Sequence, residues 1–250
     1  MLNLDAYLAR IGYKGATAPS TLTLRNLHRC HLQTVPFENL DIKMGRKISC
    51  DEEAFVRKIV QRNRGGFCYE LNGAFAALLR QIGFTVTLLS ARVPSEDGSD
   101  GPEFDHLTLK VDLEESWLAD VGFGDSFIEP LHLRPGMEQP QDSRKFRIGR
   151  EGEVFSVERC EPEGDWCHQY SFTLIPHTLG EFAGMCHYHQ TSPKSPFTRK
   201  RLCTKATPDG RVTLADRKLI FTHGAKKEEK LLSSDAESEI ALHKYFGIKL

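Results

Sequence analysis

Long apolar runs, net charge and internal repeats are all missing from this sequence. No stretch approaches the roughly eighteen apolar residues that a membrane helix needs. The opening Met1-Leu2-Asn3-Leu4-Asp5 lacks the basic-then-apolar order of a secretory signal. Lys plus Arg is 33 and Asp plus Glu is 34, a formal charge of −1. A wholesale polyanion or nucleic-acid binder would carry an excess of one sign. No self-similarity recurs at solenoid or propeller periods. Seven cysteines are present, an odd number, and none is spaced C-x-x-C. Without such pairs, Cys186-His187-Tyr188-His189 is set aside as a metal cluster, even with Cys160 or Cys167-His168 as a further ligand, and no metal is expected. Unpaired thiols without a signal point to a reducing, cytoplasmic location. A chain of this length exposes roughly 11,000 Å² folded against roughly 41,000 Å² extended, enough burial for a core without staples.

What is present changes period along the chain. Leu4, Tyr7, Leu8 and Ile11 fall at i, i+3, i+4, i+7, with Gly12 as a stop. A second helix is expected from Ser20 or Thr21, carrying Leu24 and Leu27 inward. Ser49-Cys50-Asp51-Glu52 reads as a capping box before Phe55, Val56, Ile59 and Val60. After Gly65-Gly66, a helix from about Phe67 to Ile82 buries Leu71, Phe75, Leu78 and Leu79, and Gly83 ends it. From there the period becomes 2. Strands are expected from Val86 to Val93 and over 106–113, the latter pairing with 117–121 across Glu114-Glu115. Others follow over 145–148, 154–159 and 166–174, with a turn-rich loop over 94–102. Short strands around Leu202, Val212 and Lys218, a solvated turn or edge over 226–230, and a capped helix from Ser234 to Phe246 complete the chain. Helices, then strands, then a mixture describe an α+β fold, not an alternating βαβ sheet.

Cys68 is the thiol whose context suggests chemistry. It follows Arg64-Gly65-Gly66-Phe67 and opens an amphipathic helix. Unsatisfied N–H groups and the positive helix end favour a thiolate there and lower its pKa. The paired glycines admit close approach of another backbone or a ligand. A thiolate nucleophile wants an imidazole beside it and a third group to orient the ring. His106 opens the alternating strand and Asp120 ends its partner, so a hairpin brings them within one or two rungs. The alternatives are a structural cysteine, a strand-edge histidine and an ordinary turn aspartate.

The stretches Val35-Pro36-Phe37-Glu38-Asn39-Leu40-Asp41-Ile42, Arg64-Gly65-Gly66-Phe67-Cys68-Tyr69-Glu70-Leu71-Asn72, His106-Leu107 and Ala119-Asp120-Val121-Gly122-Phe123-Gly124 resemble the arylamine N-acetyltransferase family. The likeness continues through Tyr188-His189-Gln190-Thr191-Ser192-Pro193, Phe197, Thr207-Pro208-Asp209-Gly210 and Tyr245-Phe246-Gly247-Ile248, so it spans essentially the whole chain. It implies a helical bundle over 1–83 carrying the nucleophile and an antiparallel β-barrel-like domain over 84–191 carrying His and Asp. An α/β lid over 192–250 completes it. It further implies a ping-pong reaction in which acetyl-coenzyme A acylates Cys68 and an aromatic amine or hydrazine takes the acetyl group. His106 would be the base and Asp120 its orienting partner, in an arrangement like that of cysteine proteases and transglutaminases. No nucleic-acid or membrane partner is implied.

Other residues fill in the expected site. Arg64 and Glu38 are candidates for an ion pair bracing the Cys68 helix, against two independent surface charges. Phe37 and Phe123 are expected as walls of an arylamine pocket. Lys194, Arg199, Lys200, Arg201 and Lys205 form a basic strip suited to the phosphates of coenzyme A. Tyr188, Phe197 and Lys194 stand at positions that the resemblance assigns to coenzyme A contacts. Lys194 departs from the hydroxyl residue of some members, and Pro102-Glu103 from a Thr-Gly pair. The triad alone leaves three alternatives: a cysteine hydrolase or transglutaminase-like enzyme, an amide synthase closing a ring on a tethered thioester, and a non-catalytic binding module. The full-length likeness favours acetyl transfer, and the intact triad counts against a binding module.

Overall fold

A computed structural model describes residues 2–95, 98–224 and 226–250. Glu96 and Asp97 of the expected 94–102 loop lie outside the described residues, as does Met1. Helix α1 (Leu4–Ile11) is capped by Asn3 and stopped by Gly12 at φ 69°, a left-handed conformation that glycine adopts freely. Helix α2 (Thr21–Thr34) starts on a Ser20 cap and buries Leu24 and Leu27. Strand β1 (Phe37–Glu38) and the single turn α3 (Leu40–Lys43) follow. Helix α4 (Glu52–Val56) is capped by Asp51, not Ser49, because the Asp51 carboxylate accepts the Ala54 N–H at 2.7 Å. It runs on into a π-helical turn, Arg57–Gln61, that points Lys58 inward. Helix α5 (Cys68–Ile82) carries the nucleophile candidate at its first position and ends at Gly83, φ 109°.

Eight strands form one antiparallel sheet. They are β2 (Thr85–Arg92), β3 (His106–Asp112), β4 (Ser116–Ala119), β5 (Leu131–His132), β6 (Gln139–Gln141), β7 (Arg144–Glu151), β8 (Val154–Cys160) and β9 (Trp166–Phe172). Their spatial order is β5-β4-β3-β2-β9-β8-β7-β6. The Gly136 N–H donates to Ile148 O at 2.8 Å, so the chain beyond β5 reaches β7 and the sheet nearly closes on itself. Strand β3 is less alternating than expected: Thr108 is as buried as Leu107 and Leu109, because one face meets α5 and the other fills the barrel. A 3₁₀ turn, Leu179–Phe182, leads into α6 (Ala183–Thr191), a helix with no counterpart among the sequence expectations, and then α7 (Pro196–Arg199).

Strands β10 (Leu202–Thr207), β11 (Gly210–Ala215), β12 (Lys218–His223) and β13 (Lys226–Leu231) form a second antiparallel sheet. The 226–230 segment is thus an edge strand. Its Lys and Glu side chains face solvent and discourage pairing with another chain. Helix α8 (Asp235–Phe246) packs on this sheet. Strand β1 is the fifth member, with Phe37 opposite Thr204 and Glu38 opposite Cys203. The Phe37–Glu38 segment is therefore stitched to the C-terminal sheet. Three apolar cores result: one under α5, one inside the barrel and one beneath α8.

Candidate active site

The glycines place the start of α5. Gly66 bridges to Phe37, its carbonyl accepting the Glu38 N–H at 2.8 Å. A Cβ on Gly65 would lie 1.9 Å from Pro36 O, so only glycine lets the strand β1 backbone come this close. Cys68 follows, nearly fully buried, with the backbone N–H groups of Leu107 and Tyr69 near enough to its sulfur to favour negative charge there. Leu107 follows His106 at the start of β3, and Cys68 and His106 line one cavity. The pKa expectation needs correction. Burial pushes the Cys68 thiol well up, the two N–H groups pull it down, and the charges of Asp105 and Asp120 add to the rise. The helix start does not by itself yield a resting thiolate.

His106 and Asp120 meet as the hairpin suggests. The register pairs Leu109 with Ala119 and Asp112 with Ser116, which sets Asp120 two positions from His106 across the ladder. His106 Nε2 donates to Asp120 Oδ2 at 2.6 Å, and both side chains are buried. The same oxygen accepts the Tyr170 hydroxyl at 2.9 Å. The other oxygen accepts Asn72 Nδ2 at 2.8 Å and the Gly122 N–H at 2.9 Å. Burial disfavours this carboxylate's charge, but His106 and these donors hold its pKa below the usual value. Nε2 is thus committed, leaving Nδ1 as the nitrogen available to the thiol.

Three residues of this arrangement escape the sequence reading. Asn72 stands one turn after Cys68, and its amide also donates to Leu107 O at 2.5 Å and accepts the Val121 N–H at 2.9 Å. It pins the nucleophile's helix to both strands of the hairpin. Its signal was a polar residue on the face of α5 that carries Cys68. Tyr170 comes from β9 and His28 from α2. The His28 ring accepts the Asp120 N–H at 3.0 Å and donates from Nδ1 to Ile128 O at 2.9 Å. Burial lowers its pKa to about 4, so it serves as a neutral bracket.

Gly122 closes the arrangement. A Cβ there would lie 2.9 Å from Cys68 Cα and 2.7 Å from Asn72 Nδ2. Gly122→Ala is therefore expected to push the loop off the helix start and to lower turnover by about 10²-fold, the cost of roughly 1 Å of misplacement. Steady-state kinetics with a folded, unshifted circular dichroism spectrum checks it.

Known proteins are similar to this chain along nearly all of its length. The family model described as N-acetyltransferase matches residues 21–250. Human arylamine N-acetyltransferase 1 is 34% identical over all of this chain and 95% of its own length. The Escherichia coli arylamine N-acetyltransferase is 34% identical over 98% of this chain and 88% of its own. The Salmonella typhimurium arylamine N-acetyltransferase structure superposes with a TM-score of 0.93 at 33% identity, covering 98% of this chain and 90% of that one. The Mycobacterium marinum arylamine N-acetyltransferase in complex with CoA gives 0.92 at 30% identity over 98% and 93%.

The chain belongs to the arylamine N-acetyltransferase family.

As an acetyltransferase it has an evident cavity, of about 810 Å³, with Cys68 and His106 in its wall. Phe37, Phe123, Tyr188, Phe197 and Lys194 all line it. Phe123 packs edge-on against His106 at 5.3 Å, and Phe37 leans on Phe197 at 6.1 Å. The expected basic strip is not continuous. Lys194 and Arg199 reach the cavity wall, but Arg201 donates to Asp216 O at 3.0 Å and lies 3.6 Å from Asp235. Lys205 is half-buried in β10, with its pKa lowered by burial. The strand turns alternate side chains to different faces, which a linear charge count does not register. Among the described residues, no group of three or more His, Cys, Asp or Glu is placed to hold a metal ion. None of the described helices is long and apolar enough to cross a membrane.

Behind the nucleophile lies a buried charge cluster larger than the expected pair. Arg64 donates to Glu38 from Nη2 at 2.8 Å and from Nε at 3.1 Å. Lys58 reaches Glu70 at 2.8 Å, Asp41 at 2.9 Å and Glu38 at 3.7 Å. Glu70 also accepts the Phe67 N–H, capping α5 just ahead of Cys68. Burial raises the Glu70 pKa from 4.5 to about 7, against the pull of Lys58 and with a further push from Glu38. Between pH 4.5 and 7 the folded state therefore keeps a proton that the unfolded state has released. Unfolding free energy falls as pH rises through that window. Glu70→Gln is expected to flatten this part of the stability profile, read from denaturant midpoints at pH 4.5, 5.5 and 7.

Proposed function

We propose that this protein transfers the acetyl group of acetyl-coenzyme A to arylamines and arylhydrazines through an acetyl-Cys68 thioester, in a ping-pong cycle. The observation that carries the reading is the buried His106 Nε2–Asp120 Oδ2 hydrogen bond, 2.6 Å long, in the wall of the cavity that holds Cys68. Because burial and two carboxylates oppose a lone thiolate, its proton has to pass to a neighbour within the site. His106 Nδ1 takes it, and Asp120 balances the imidazolium that forms. The thiolate attacks the acetyl carbonyl, and His106 returns the proton to the departing coenzyme A sulfur. The amine then attacks the thioester, giving a proton to His106 and releasing Cys68. General acid–base help of this kind supplies about 10²–10⁴ in rate.

Phe37 and Phe123 would sandwich the aryl ring. Tyr188, Phe197 and Lys194 would contact coenzyme A, with Arg199 adding a second positive charge at the mouth. The three regions of the chain, 1–83, 84–191 and 192–250, would act as nucleophile bundle, base-bearing barrel and lid. The reaction is placed in the cytoplasm.

The test is intact mass after mixing with acetyl-coenzyme A and no amine. A gain of about 42 Da confined to Cys68 is expected, the mass of acetyl replacing hydrogen. No adduct, together with turnover of a peptide amide, would instead make the protein a cysteine hydrolase.

A further inference from the structure

A second imidazole–carboxylate pair faces the same cavity. His189 of α6 is buried, and its Nε2 lies 3.0 Å from Asp105 Oδ1. Its other nitrogen, Nδ1, is 3.1 Å from the Ser195 hydroxyl. Ser195 Oγ also accepts the Phe197 N–H at 3.3 Å, which ties the ring to the start of α7. Nε2 faces the Asp105 carboxylate at ion-pair distance without hydrogen-bond alignment. The buried His189 ring thus lies against Asp105 and limits where its carboxylate can turn. The described residues offer the second oxygen, Oδ2, no hydrogen-bond donor, and Asp105 lines the cavity together with Cys68 and His106.

The backbone is held so as to present this carboxylate. Phe104 sits at φ 62°, a left-handed conformation unusual for a bulky residue. Its N–H donates to Ser90 Oγ at 2.7 Å, and its carbonyl accepts the Tyr69 hydroxyl at 2.7 Å. Its ring packs edge-on against Phe182 at 5.1 Å. Contacts from three elements fix a strained residue next to Asp105, as happens where strain serves a site.

Asp105 makes little sense for the first half of the reaction. Its charge lies near the sulfur and disfavours the thiolate that must attack acetyl-coenzyme A. The second half has a use for it. A primary amine attacking a thioester develops positive charge on nitrogen, and it has two N–H groups. One proton is lost to His106. The other N–H needs an acceptor, and of the two carboxylates in the cavity wall Asp105 adjoins His106 in the chain, whereas Asp125 is taken up by Arg144 and Arg211.

We propose that Asp105, flanked by His189, is the acceptor-binding residue of the thioester: its Oδ2 receives the N–H that the attacking nitrogen keeps. The inference rests on the acetyl-Cys68 reading above. In the step, the N–C bond forms as C–S breaks. One amine proton passes to His106 and then to the Cys68 sulfur, and the second stays on nitrogen, donated to Asp105. Products are the N-acetyl amine and the free thiol. The substrate class that gains is nucleophiles with two hydrogens on the attacking nitrogen: primary arylamines, hydrazines and hydrazides. Thiols and hydroxyl groups, with a single hydrogen, gain nothing.

Asp105→Asn separates the two half-reactions. Acetylation of Cys68 by acetyl-coenzyme A is read by rapid-quench mass. Discharge of the acetyl-enzyme is then followed with aniline, with phenylhydrazine and with coenzyme A as a thiol acceptor. We expect discharge to both nitrogen nucleophiles to fall about tenfold or more, the order of a hydrogen bond to a charged group. Acetylation should rise, and discharge to coenzyme A should not fall with the amines. Equal loss in all three steps would mark a structural role and overturn the proposal, as would unchanged amine discharge. Asp105→Ser, smaller and likewise without the charge, should also lower amine discharge alone, and decides the matter should Asp105→Asn fail to fold. If the wild-type protein forms no acetyl adduct, the thioester reading fails instead, and the two failures are told apart.

Discussion

Cys68→Ala is expected to lower arylamine acetylation by about 10⁴-fold or more and to abolish the acetyl adduct, because a nucleophile and its base act as a unit. The magnitude follows from what remains. Without the sulfur, the amine must attack acetyl-coenzyme A directly, and the two substrates have to share one cavity of about 810 Å³. His106 and Asp120 would still be in place, but with no proton of the nucleophile to move. No other thiol can substitute, since Cys68 is the one cysteine in the wall of that cavity among the described residues. Cys186 and Cys203 are buried elsewhere. The same reasoning predicts that one of the seven thiols reacts fast with iodoacetamide and that acetyl-coenzyme A protects it. Turnover by Cys68→Ala within tenfold of the parent would remove the thioester from the mechanism. His106→Gln and Asp120→Asn should lie between parent and Cys68→Ala. Each leaves the thiol present but deprives it of a base or of that base's orientation.

The parts legible in sequence are those governed by local rules. Gly12, Gly83 and Gly247 stop their helices because a left-handed residue must follow the last turn. His106 and Asp120 meet because a tight turn at Glu114-Glu115 fixes the ladder between them. Long-range pairing left no such trace. Strand β1 is two residues long and joins a sheet whose other members lie more than 160 residues later. The partners of Asp120 come from α2, α5 and β9, elements that no spacing connects. Helix α6 is rich in His, Tyr and Gln, so it shows no apolar stripe, and Phe182 and Cys186 are its visible anchors to the core. The thiol pKa failed for a related reason. A helix start is a local feature, whereas the burial and the two carboxylates that outweigh it are assembled by the whole fold. The Arg64–Glu38 pair was considered from sequence, but its company was not, because no spacing marks the π-helical turn that carries Lys58 inward.

That company makes Lys58→Met the substitution with the largest expected effect on stability. The cluster holds two cations, Lys58 and Arg64, and three carboxyl groups, Glu38, Asp41 and Glu70. Side-chain exposure is 8% for Lys58, 0% for Glu38 and 2% for Glu70, so water screens little of this charge. The count balances if one carboxyl stays protonated, and Glu70, raised to about 7, is the one that does so through mildly acidic pH. Burial works against the Lys58 charge, but Glu70, Glu38 and Asp41 more than restore it and hold its pKa above the usual lysine value. Methionine keeps the volume and removes the cation, leaving Glu38 and Asp41 to share Arg64, with the exposed Arg46 at the rim. Breaking a buried pair in this way costs about 3–5 kcal/mol, and for a chain of this size each kcal/mol moves the melting midpoint by roughly 2–4 °C. A fall of about 10 °C is therefore expected by differential scanning fluorimetry. A loss under about 1 kcal/mol would mean that the cluster behaves like an exposed ion pair. The double variant Lys58→Met with Asp41→Asn discriminates further. Removing the surplus carboxylate restores the charge balance, so it should recover part of the lost stability, although Asp41→Asn alone should be destabilising. A double variant worse than Lys58→Met would show that packing around the ammonium, not charge balance, holds the start of α5 in place.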